Sequence, residues 1–155
     1  MKPTAQNLLE STLQDLHSLE GGLRRSYELC LPVVNKSSLQ PEDDDTIETL
    51  TSRYARTIDR LVRKMFRTLD AFELETSGSL LDVVLRAEKR GLISSSEQVR
   101  LMTELHNEIA HDYTHSNLED LFSDVMEYTP AVFEILEKTQ GHAQKLLDKI
   151  PPMSA

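Results

Sequence analysis

Tryptophan is absent, and the 155 residues contain only four tyrosines, four phenylalanines, six prolines and five glycines. Sandwiches and barrels draw on aromatic residues for their strands and on frequent glycine and proline for their turns, so this composition disfavours β architectures. Cys30 is the single cysteine, which excludes an intramolecular disulfide; its expected role is that of a small buried hydrophobe. No run approaches the roughly 18 apolar residues of a membrane span. The opening Met1-Lys2-Pro3-Thr4-Ala5-Gln6-Asn7 lacks the apolar core of a secretory signal. A soluble, cytoplasmic protein without membrane association is expected. A surplus of basic residues is missing too: the formal net charge is −9. Wrapping nucleic acid needs clustered Lys and Arg to neutralise phosphates, so any RNA contact has to be local.

What the chain does have is leucine at helical spacing along most of its length. That pattern, at the size of one domain, predicts a single all-α domain over 1–155, built as an antiparallel four- to five-helix bundle. An N-terminal helix and loop occupy 1–40. The helix runs from about Thr4 to Cys30 on Leu9, Leu13, Leu16, Leu19, Leu23 and Tyr27. Gly21-Gly22 predicts a kink or break, because each glycine costs about 1 kcal/mol relative to alanine in a helix interior. The second helix opens at Gln40-Pro41-Glu42-Asp43-Asp44-Asp45, with proline in the first turn and acids at the positive end of the dipole. Ile47, Leu50, Tyr54, Ile58, Leu61, Met65, Leu69 and Phe72 continue it as one apolar stripe. A short helix from Leu80 to Arg90 is closed by Gly91, and Ser94-Ser95-Ser96-Glu97 caps a fourth. A last helix follows Ser116-Asn117, with Pro130 predicting a bend or restart and Gly141 a possible end.

The second helix also carries Arg53, Arg56, Arg60, Arg63, Lys64 and Arg67 at three-to-four spacing. This stripe reads either as a solvated face paired with acids or as a phosphate-facing wall, with Arg60, Arg63 and Arg67 as its substrate-binding members.

Three of the five histidines fall in ten residues, His106-Asn107-Glu108-Ile109-Ala110-His111-Asp112-Tyr113-Thr114-His115, where the fourth helix runs into a turn. Histidines there can simply cap free carbonyls and complement the dipole. A metal site from His111 and His115 lacks a cysteine or compact acid partner, and none is expected. The run from Gly91-Leu92-Ile93 to Tyr113 resembles the signature of HEPN proteins, in the branch of small helical proteins that partner minimal nucleotidyltransferases. Their Arg-Asn-x-x-x-His-x-Tyr motif ends a bundle helix and carries a metal-independent RNase site. Asn107, His111 and Tyr113 match it, and His106 stands at the arginine position. The resemblance covers roughly Thr46 to Thr139 and implies a HEPN-like core over 41–140.

That resemblance implies a toxin-antitoxin component: an RNase, or a degenerate form of one, that works as a homodimer without metal or cofactor. It also implies a minimal nucleotidyltransferase as partner and Tyr113 as an acceptor of adenylylation. The alternative is a non-catalytic subunit that binds a substrate or partner for the transferase. RNA cleavage without metal needs a base, an acid and positive charge for the phosphorane oxygens. His111 takes the proton-transfer role and Asn107 a positioning one. His106 supplies charge only when its imidazole is protonated, whereas arginine holds a permanent cation in a five-donor fork. Either the scaffold has lost its nuclease, or a protonated His106 acts as acid while a neutral His111 acts as base.

Overall fold

The computed structural model describes residues 4–75, 78–111 and 118–151. All regular structure among them is helical, as expected: α1 (Ala5–Cys30), α2 (Pro41–Ile58), a π-helical segment (Asp59–Met65), α3 (Phe66–Phe72), α4 (Leu80–Lys89), α5 (Ser96–His111) and α6 (Leu118–Asp148). The helix ends follow from side chains that satisfy the free N–H groups of first turns. Thr4 Oγ1 accepts from Asn7 N at 3.0 Å, and Asp43 Oδ2 accepts from Gln40 N at 2.8 Å. Ser79 and Asp82 exchange reciprocal bonds, and Ser95 Oγ accepts from Gln98 N at 2.9 Å. Gly91, at φ 78°, closes α4 as the sequence predicts. Gly91 N reaches Glu88 O and Leu92 N reaches Ala87 O, each at 3.0 Å, which is the Schellman pairing.

The apolar stripe of the second helix is the centre of the core. Ile47, Leu50, Tyr54, Ile58, Leu61, Met65 and Leu69 are all buried. The π segment is a feature that three-to-four spacing did not reveal. It accompanies burial of the adjacent pairs Leu61-Val62 and Met65-Phe66, so this stretch is covered on more than one side. α1 packs antiparallel to α2: Cys30 lies at Thr46, Arg53 reaches Gly22 and Ser26, and Arg60 meets Asp15. α6 in turn runs antiparallel to α1, with Gln140 on Glu20 and the Phe133 ring edge-on to Tyr27.

The break expected at Gly21-Gly22 does not occur; α1 is continuous. Arg53 lies across Gly22 and donates Nη1 to its carbonyl at 2.9 Å and to Ser26 Oγ at 2.7 Å. Tertiary contact thus offsets the low helix propensity. A Cβ at position 22 would stand 3.6 Å from Arg53 Nε, an ordinary contact. Gly22→Ala is therefore expected to stabilise the fold by up to about 1 kcal/mol through helix propensity. A lowered urea midpoint would show that Arg53 requires bare backbone there. α6 likewise runs through Pro130 and Gly141 without a restart. Proline has no N–H for the preceding turn, and Thr129 Oγ1 donates to Val125 O at 2.5 Å beside it.

A polar knot joins α3, α4 and α6. Asp70, 2 % exposed, accepts from Arg86 Nε at 3.0 Å and from Arg90 Nη1 at 2.6 Å. Just beyond the end of α3, Glu73 meets Arg90 Nε at 3.3 Å and His142 Nε2 at 2.8 Å. Among the described residues no helix is long and apolar enough to cross a membrane.

Candidate active site at the end of α5

The rotation of α5 is set by its apolar face. Val99, Met102 and Leu105 are buried, and the Tyr54 hydroxyl donates to Met102 O at 3.2 Å in the core. Burial raises the Tyr54 phenol well above its usual range, which keeps it a neutral donor. One residue beyond Leu105, the His106 side chain is only 15 % exposed and is turned toward the π segment. Its Nε2 lies 4.0 Å from Asp59 Oδ1, and its Nδ1 lies 3.1 Å from Asn107 Oδ1. The same Asp59 oxygen stands 3.7 Å from Arg63 Nε. Both separations from Asp59 exceed hydrogen-bond length, so Asp59 acts here as a charge between two basic groups.

His111 is the last residue of α5 and is exposed. No described residue bonds its ring. At about 100° per residue, His106 and His111 lie roughly 140° apart around the axis, whereas Asn107 and His111 are separated by only about 40°. One α5 therefore aims Asn107 and His111 along a common face and sends His106 to Asp59. Tyr113 and His115 lie outside the described residues.

The arginine stripe fans out along the second helix. Arg60 pairs with Asp15 at 3.4 Å, and Arg67 donates to Gly78 O at 3.2 Å. Of Arg60, Arg63 and Arg67, Arg63 alone shares a partner with His106. Arg100 is paired with Glu97 and Glu104 on the outer face of α5. Where α5 faces α6 the field is acidic: partial burial and the charges of Asp124, Glu127, Glu104 and Glu108 together raise the Tyr128 phenol. That field disfavours a phosphate at the seam, and the described arginine of the stripe that shares a partner with His106 is Arg63. Among the described residues no group of three His, Cys, Asp or Glu could hold a metal ion.

Asp59 is the residue that sequence reasoning missed. The Asp59-Arg63 spacing of four was legible as a helical ion pair. Its meeting with His106 bridges 47 positions and depends on packing. No family model and no curated protein matches the chain.

Proposed function

We propose that the chain is a HEPN-type toxin-antitoxin component paired with a minimal nucleotidyltransferase, and that its own activity is weak, metal-independent cleavage of RNA at the end of α5. The observation that carries this reading is the last turn of α5. Asn107 and His111 share a face there, and His106 is set beside Asp59, whose carboxylate also pairs with Arg63. In the reaction, His111 takes the proton of a ribose 2′-hydroxyl. The 2′-oxygen bonds to phosphorus and the bond to the 5′-oxygen breaks, while a protonated His106 supplies positive charge to the phosphorane oxygens and water gives the 5′-oxygen its proton. The products are a 2′,3′-cyclic phosphate and a 5′-hydroxyl. Because the two rings diverge on one helix, base and cation for one phosphate come from the two copies of a homodimer. Tyr113 is the acceptor through which the transferase would silence the site, as the resemblance implies.

Purified chain incubated with total RNA is expected to cleave it without added metal, and His111→Ala is expected to lose at least about 100-fold. A second reading, a non-catalytic binding subunit of the transferase, is favoured by one observation: His106 faces a carboxylate. RNA left intact by the wild-type chain, both alone and freed of any adenylyl group, selects this second reading.

A further inference from the structure

A second feature lies away from α5, between the α1–α2 connection and the first turns of α6. It is an open groove of about 690 Å³. Its apolar lining includes Leu31, Val33, Val34, Phe122 and Met126. Leu31 and Val34 are 48 % and 49 % exposed, and Leu29 next to them in the chain is 65 % exposed. Leu31 and Val34 thus present apolar surface to solvent at the groove itself, the kind of patch that can seat a partner. On the rim, Glu119 and Glu127 are exposed and pair with no described cation, and the rim cation Lys36 is already held by Asp43 at 2.8 Å.

We infer that this groove receives a basic amphipathic helix from a different protein. The apolar floor calls for an apolar stripe, and the rim calls for Lys or Arg on either side of it. No strand edge exists among the described residues to pair with an extended peptide, and helical walls accept a helix by ridge-and-groove packing. RNA is repelled by the rim. A second copy does not fit either. Its cationic stripe lies on the helix whose Ile58, Leu61 and Met65 are already buried within its own chain. Its other exposed apolar pair, Leu81 and Leu85 on α4, is bordered by Asp82 and Glu88 as well as Lys89, so it offers no uniformly cationic border to the acidic rim.

The test titrates the full isotope-labelled chain with two synthetic helical peptides of about 16 residues, roughly 24 Å long. Both carry leucine at i, i+3, i+4 and i+7; one has lysine and the other glutamate on the remaining face. The lysine peptide is expected to bind with shifts centred on Leu31, Val34 and Met126, and the glutamate peptide to bind at least about tenfold more weakly. Val34→Asp is expected to lower affinity for the lysine peptide by a similar factor. Ser123→Arg, an exposed change on the groove wall, serves the same purpose if Val34→Asp misfolds. The double change Glu119→Lys/Glu127→Lys should reverse the preference. Equal binding of both peptides, or lysine-peptide binding untouched by these variants, overturns the inference. So does self-association of the wild-type chain that Val34→Asp or Ser123→Arg abolishes, since a second copy would then fill the groove.

Discussion

Asp70→Ala is expected to remove about 3 kcal/mol or more of folding stability, because taking one partner from a buried ion pair leaves the other charge desolvated. The carboxylate is 2 % exposed and holds two guanidinium groups, Arg86 at 3.0 Å and Arg90 at 2.6 Å. The Arg90 side chain is itself only 12 % exposed. Glu73 still faces Arg90 in the variant, so the loss should fall at the lower end of the usual range of about 3–5 kcal/mol. Asp70→Asn keeps the volume and part of the hydrogen bonding and should cost less. Glu73→Gln should cost less again, because that side chain is 28 % exposed and its charge is screened by water. Urea unfolding of the three variants checks the order. A loss below about 1 kcal/mol for Asp70→Ala would mean that water relaxes into the site and that the knot between α3, α4 and α6 contributes little.

His106→Arg is expected to raise RNA cleavage at neutral pH by about tenfold or more, since charge-assisted hydrogen bonds to phosphate contribute roughly 1.5–3 kcal/mol each. The neighbourhood of position 106 adds a condition to this. Asp59 Oδ1 lies 4.0 Å from the imidazole and is placed to bind the new guanidinium in competition with RNA. The full gain should therefore appear in the double variant His106→Arg/Asp59→Asn, which keeps the shape of Asp59 and removes its charge. Cleavage rates across pH separate the effects. The advantage of the arginine variants over wild type should persist at alkaline pH, because a guanidinium keeps its cation there. If His106→Arg folds normally and cleaves no better than His111→Ala, arginine is not the missing catalytic part and the binding reading stands.

The helices were legible because their signals are local. The Pro41 start with its acids, the Ser95 cap and the positive φ of Gly91 each act within one or two turns, and the stripe from Ile47 to Leu69 is a repeating pattern. The candidate site was legible in part for the same reason: Asn107 and His111, four apart, share a face in any α-helix. Gly21-Gly22 misled, because propensity takes no account of an arginine that arrives from Arg53 on another helix.

By itself, then, the sequence determined an all-helical chain, where α2 and α5 begin and α4 ends, and which segment carries histidines with a fixed mutual angle. Those properties rest on interactions between residues a few positions apart. Tertiary structure alone decided that His106 meets Asp59, that Asp70 is sealed between two arginines, and that Leu31 and Val34 border an open groove with Glu119 and Glu127. Each joins groups far apart in the chain, and which of the possible partners meet is set by how the apolar faces pack. Periodicity fixes the face on which a side chain lies; the neighbour it meets there is fixed only when the whole core closes.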